Sequence, residues 1–328
     1  MIKGDGAMCS HPEGWARHST TLKRRLARVL QRSAAPSPRF GVGTTGAALV
    51  LSLAVYPSSR LPAQSIDQLA VRFAGMTAVS GLEQAMTDSL LALLPGSVRD
   101  RAGNVTLALG RGSPKRLVAC ALDEVGYVVG NITPEGFLLL RRVGARVAYQ
   151  LFDQQLEGHR VTVFGARGPV PGVVAVRSTH LTRGRPTGVD PVFTVDNAYL
   201  DVGATSAAEV RALGIEILSP VSLAKRPQPY GDRLLAAPAV GRRAACAALA
   251  AAIQGKPRVK GTVVAAFTVQ SLYAANAGMG TVQALLGPFD DARTATLPAR
   301  YPDTAVETVS LASADSLRRE LVVWMEGR

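Results

Sequence analysis

Residues 65–95, SIDQLAVRFAGMTAVSGLEQAMTDSLLALLP, carry apolar positions in two stretches separated by Ser80-Gly81. Pro95-Gly96 closes the second stretch, so the pattern predicts two helices around a break. RAGNVTLALG and RLVACALDEVGYVVGNI then read as strands, because their apolar runs are nearly continuous and partly β-branched. From about residue 130 to 235 the pattern changes. Short runs such as GFLLLRRVG, RVTVFG and VPGVVAVR alternate with Gly/Pro turns, which predicts a small barrel or sandwich. From Leu234 the helical pattern returns. RRAACAALAAAIQG is an Ala-rich helix ending at Gly255, KGTVVAAFTVQ a buried strand, and ADSLRRELVVWMEGR an amphipathic helix. Helices and strands at both ends of a β-rich middle predict an α/β domain, residues 66–127 and 234–328, with an inserted β-rich domain at 128–233.

Hydrophobic residues are 47% of the 328 and aromatics only 5%, so the core must rest on Ala, Val and Leu. The net charge of +13 raises the question of a nucleic-acid partner. Residues 1–64 hold nine Lys/Arg against two Asp/Glu, leaving 28 against 22 in the remainder, which has no dense basic run. That describes a mildly basic solvated surface, and no nucleic-acid partner is expected. The basic segment LKRRLARVLQR is followed by the apolar run Phe40–Tyr56 and then by LPAQS, with small residues at Ala63 and Ser65. Charge, apolar core and small residues in that order form an export signal spanning residues 1–65, so a periplasmic or extracellular location is expected. The apolar run holds three Gly and two Thr and is short for a membrane span of about 20 residues. An uncleaved anchor in the inner membrane is the alternative. Cys9 falls in this leader. Cys120 and Cys246 sit in apolar, small-residue segments and read as two buried free thiols; whether they pair is not decided by sequence.

Six segments, in this order, resemble the glutamyl-aminopeptidase or tetrahedral-aminopeptidase family of dinuclear zinc exopeptidases. SGLEQAMTDSL is similar to its opening Ser-Gly-x-Glu helix, and DRAGNV to its Asp-x-x-Gly-Asn turn. DEVGYVVGNITPEGFLLLRRVG follows the strand after the first metal motif, and GPVPGVVAVRSTHL enters the inserted domain. LDVGATSAAEVRALGI matches an Asp-x-Gly-Ala-x-Ser helix start, and RYPDTAVETVSL an Arg-Tyr-x-His-x-x-x-Glu segment. The resemblance covers roughly residues 66–320. It implies a three-layer α/β/α mixed-sheet domain of the zinc-exopeptidase kind with a small β-barrel-like insertion. It also implies two zinc or cobalt ions bridged by a carboxylate, with a Glu as general base.

Position by position, the implied ligands are replaced. The His of His-x-Asp-Glu is Ala121, although the orienting Asp survives as Asp123. In the Ala-Leu-Asp-Asp-Arg-x-Gly run the bridging Asp is Gly241, followed by Arg242 and Arg243. The paired glutamates after the FTVQ strand are Ser271 and Leu272, and the last His is Asp303. The chain between Ala275 and Arg300 is short, so the segment bearing the remaining acidic ligand is expected to be deleted. His159 and His180 are the histidines outside the leader and are far apart in sequence, and no Cys pair has ligand spacing. Asp123 and Glu124 are neighbours, which on a strand point to opposite faces. Ser271 has no base nearby in sequence.

The expectation is therefore a non-catalytic homologue without a cofactor. It would keep the fold as a binding or assembly module for peptides, for an active paralogue, or for its own copies through the inserted domain. An active metallo-aminopeptidase or other hydrolase with a rebuilt metal site is the alternative. Loss of carboxylates together with metals implies compensation, and Arg242 or Arg243 is expected to pair with Asp123 or Asp303.

Overall fold

In a computed structural model the described residues are 65–144, 150–175, 193–273 and 277–328. The leader and His180 lie outside them. Among the described residues no helix is long and apolar enough to cross a membrane.

The first helices are α1 (Ile66–Ala74) and α2 (Gln84–Leu93). Strands β1 (Val98–Arg99), β2 (Val105–Gly110) and β3 (Lys115–Ala121) follow. Strands β4 (Gly126–Ile132), β5 (Leu138–Val143), β6 (Arg160–Gly165), β7 (Gly168–Val174), β8 (Tyr199–Asp201) and β9 (Pro220–Leu223) come next, with α3 (Ala207–Ala212) before β9. The chain continues through β10 (Gln228–Tyr230), β11 (Leu234–Ala236), α4 (Val240–Gln254) and β12 (Thr262–Thr268). It ends with α5 (Ala277–Leu286), β13 (Asp291–Thr294), β14 (Thr308–Ser310) and α6 (Leu311–Glu326).

The central sheet has the order β1-β2-β12-β3-β13. β12 runs parallel to β3, as does β13, while β2 is antiparallel to β12. The interior strands are apolar on both faces because both faces are covered, which is why their sequences run without alternation. Val118, Cys120, Val263, Ala265 and Phe267 face one core, shared with α1, α4 and α6. Leu117, Ala119, Val264 and Ala266 face a second, smaller core under Val282 of α5. The architecture is thus the expected three-layer α/β/α domain with a mixed sheet. Helix α4 is buried on nearly every side. Its alanines let α1, α6 and the sheet approach closely while keeping high helix propensity.

Strands β4-β5-β8-β7-β6-β9 close into an antiparallel barrel. Val129, Leu138, Leu140, Val161, Val163 and Leu200 belong to its separate core. The long apolar run from Arg116 to Ile132 is thereby divided. β3 stays in the central sheet and β4 starts the barrel, so Asp123 and Glu124 lie in the crossing between them rather than on a strand. Backbone groups there find partners outside the ladders: Leu122 N donates to Thr268 O at 2.8 Å and Glu124 N to Ala78 O at 2.9 Å. Strands β10-β11-β14 form a third small sheet, which holds the chain returning from the barrel against the C-terminal segment.

The two free thiols read from sequence are corrected. Cys120 and Cys246 form a disulfide, with Cα atoms 5.4 Å apart. β3 and α4 pack directly against each other, and that contact brings the two cysteines within bonding reach.

Candidate functional site

The carboxyl ends of β3 and β12, the start of α4 and the segment 294–307 converge around Asp123. Functional groups collect at such strand ends in α/β sheets. Asp123 is fully buried and both of its carboxylate oxygens accept hydrogen bonds. Oδ2 accepts from Ser80 Oγ and from the Leu272 amide, each at 2.9 Å, and Oδ1 accepts from Ser271 Oγ at 2.5 Å. Arg242 donates through Nη1 to Ser271 Oγ at 2.7 Å and lies 3.6 Å from Asp123 Oδ1. This is an Arg–Asp pair of the kind expected from the sequence.

Ala121, Gly241, Arg242, Asp303 and Glu307 line one cavity of about 390 Å³. Leu272, Arg242, Asp303 and Glu307 also border a chamber of about 40 Å³ beside it, together with Glu124. Ala121, Gly241, Leu272 and Asp303 are therefore brought together, as expected from the sequence. Ser271 joins them through Asp123 and Arg242. His159 is half-buried ahead of β6 and lines neither space.

Glu307 has a role that sequence reasoning gave it none of. Its Oε1 accepts from the Gly241 amide at 2.6 Å and its Oε2 from the Asp303 amide at 3.0 Å. A Cβ on Gly241 would stand 2.8 Å from Glu307 Oε1. The carboxylate thus occupies the space into which a side chain at position 241 would grow. The signal was visible in one respect, since Glu307 closes the RYPDTAVE segment; nothing in that segment says which way it points. Gln270 and Asp303 have φ of +58° and Ala239 has +55°, a left-handed conformation that strains non-glycine residues. All three sit at this site.

A second missed feature lies beneath it. Glu124, 3% exposed, accepts from the Ala78 amide and binds Lys225 Nζ, and Arg243 Nη2 lies 3.3 Å away. Arg243 is fully buried and also donates to Leu122 O. Glu124 leads into the barrel and Lys225 leads out of it, so one buried carboxylate holds both crossings against α4. Burial by itself raises the Glu124 pKa; the facing Lys225 and Arg243 outweigh it and hold the carboxyl below its ordinary range.

The expected loss of a ligand-bearing segment concerns the stretch before Arg300. A helix and a strand, α5 and β13, fill that stretch, and β13 pairs with β3. Thr294, Ala295 and Thr296, at and just past its end, line the 390 Å³ cavity. These three residues offer no carboxylate to the cavity. Helix α5 was not expected from the sequence because AGMGTVQALL holds two glycines and shows little periodicity.

Glu307 and Glu83 have pKa values raised, chiefly by burial. A carboxyl raised in the folded state binds its proton more tightly there than in the unfolded chain. Acidification from neutrality towards the ordinary carboxylate range should therefore add stability through these two groups. Glu124 acts oppositely: its contribution is present above the unfolded value and is lost as pH falls through its lower folded value. Urea unfolding followed against pH should show wild type gaining stability relative to Glu307→Gln on mild acidification. Parallel curves for the two proteins would contradict this assignment of Glu307.

The family model described as M42 glutamyl aminopeptidase matches residues 103–271. A curated relative, the putative aminopeptidase SgcX of Escherichia coli (strain K12), is 33% identical over 179 residues, covering 52% of this chain and 46% of that protein. The chain thus matches about half the length of that relative. Among solved structures, the aminopeptidase APDkam598 from the archaeon Desulfurococcus kamchatkensis superposes with a TM-score of 0.66 at 17% identity, over 80% of this chain and 95% of that one. The Pyrococcus horikoshii TET1 peptidase, which assembles into a tetrahedron or an octahedral shell, superposes with a TM-score of 0.64 at 19% identity, over 80% and 99%. At these identities the superpositions establish the fold.

The family match overturns the expectation of a chain without a cofactor, because M42 aminopeptidases use divalent metal ions. The residues at the replaced positions do not themselves supply two metal shells: Asp303 is the one carboxylate among them, and the oxygens of Asp123 are engaged by protein donors.

Proposed function

This chain belongs to the M42 glutamyl aminopeptidase family, and we propose that it is a non-catalytic member that keeps the fold as a binding and assembly module. The observation that carries the proposal is the state of Asp123. It is buried and bonded to Ser80, Ser271 and the Leu272 amide, with Arg242 alongside. The carboxylates that would flank it in an active relative are Ser271 and Leu272. A general base needs a lone pair within reach of the proton it takes. At positions 271 and 272 there is a hydroxyl, already bonded, and an alkyl chain.

Its ligands would be peptides or an active paralogue, recognised without cleavage. Self-association through the barrel is part of the proposal, supported by the assembly described for the Pyrococcus horikoshii TET1 peptidase.

The test is an aminopeptidase assay on amino-acid p-nitroanilides and short peptides, with zinc, cobalt or manganese supplied. No release above the uncatalysed background is expected under any metal. Light scattering on the same sample reports the assembly. Metal-dependent release of N-terminal residues that persists through purification to constant specific activity would overturn the proposal and favour a rebuilt active site.

A further inference from the structure

We propose that Cys120 and Cys246 are a thiol-oxidation site used during folding, and that the chain reaches its native state by exchange with a disulfide oxidant. This stands independently of whether the family site is active. Cys120 is the penultimate residue of β3 and is 1% exposed; Cys246, in α4, is fully buried. The bond lies just behind the candidate site, since Ala121 follows Cys120 and Arg242 is one helical turn before Cys246.

Two features make the bond more than an incidental pairing. The first is its span. The cysteines are 126 residues apart, and the chain between them contains the whole barrel together with β10 and β11. Closing a loop of that length carries a large chain-entropy cost in the reduced chain, which the bond removes once formed. The second is access. Helix α4 is enclosed by α1, α6 and the sheet, so no oxidant reaches either sulfur once the core has closed. Oxidation must come while α4 is near β3 and still open.

The chemistry balances with a disulfide acceptor. The thiolate of one cysteine attacks a sulfur of the oxidant's disulfide, forming a mixed disulfide and releasing one thiolate. The second cysteine's thiolate then attacks the protein sulfur of the mixed disulfide, closing the Cys120–Cys246 bond and releasing the other. Two electrons and two protons pass to the oxidant, which leaves as the dithiol, or as two thiols if it was glutathione disulfide. Such bonds are made in oxidising compartments, which agrees with the export proposed for residues 1–65.

The experiment uses the full chain. After denaturation without reductant, alkylation and peptide mapping should find Cys120 and Cys246 in one linked peptide pair and neither alkylated. Reduced, denatured protein should recover its native melting transition on dilution with glutathione disulfide. Without it the transition should fall by on the order of 10 °C or be lost. A Cys120→Ala/Cys246→Ala double variant should behave as the reduced chain in both buffers. Alkylation of both cysteines after denaturation without reductant overturns the proposal. So does recovery of the same melting temperature with and without oxidant.

Discussion

A Glu124→Ala chain is expected to lose about 3–5 kcal/mol of stability, the usual consequence of removing one partner from a buried ionic group. Glu124 is the carboxylate that Lys225 and Arg243 share, and the side chains of all three are nearly or fully buried. Without it two cations face each other away from water, and the Ala78 amide loses its acceptor. Burial already pushes the Lys225 pKa down, with Glu124 opposing the shift, so losing Glu124 would push it further. A loss of that size is a large part of a typical domain's margin. The second substitution Lys225→Met should restore part of the loss by removing one of the stranded cations. Urea unfolding of the two single variants and the double forms a cycle that isolates the coupling. A Glu124→Ala protein within about 1 kcal/mol of wild type would show that the crossing into the barrel does not depend on this ionic group.

The second large effect concerns position 241. Restoring the family's aspartate there, Gly241→Asp, is expected to destabilise by about 3 kcal/mol or more, in the range for a strained and uncompensated buried carboxylate. Its Cβ alone would be 2.8 Å from Glu307 Oε1, and its carboxylate would crowd a group whose pKa burial already raises. Removing the obstruction should reverse the loss. In Gly241→Asp/Glu307→Ala most of the stability should return, so the pair is strongly non-additive. Equal stability of Gly241→Asp and wild type in thermal melts would mean that Glu307 moves away at little cost. Reversion of the site is thus not a matter of one residue: the segment around Glu307 has settled into the space that a side chain at 241 requires.

Much of the fold was legible in the chain because local pattern and global architecture agree. The central runs of β3 and β12 are apolar without alternation because both faces of the sheet are covered. The Ala-rich run of α4 and the amphipathic tail mark their helices, and Gly/Pro spacing marks the barrel strands. Where local pattern was weak, sequence reading failed. Helix α5 and the short β13 went unread, and β3 and β4 were read as one continuous stretch because nothing polar interrupts them except Asp123-Glu124.

The sequence by itself determined the identities Ala121, Gly241, Ser271, Leu272 and Asp303 at the positions where the family resemblance implies ligands. It also determined that Asp123 would need a cation once those positions changed. Only the tertiary structure decided how the charges are met. Arg242 meets Asp123 across 119 positions of the chain, Lys225 meets Glu124 across 101, and Glu307 fills the space beside Gly241 across 66. It likewise decided that two cysteines 126 residues apart are bonded. Contacts at such separations are set by how the sheet, the barrel and α4 pack together. No local periodicity, propensity or spacing encodes them.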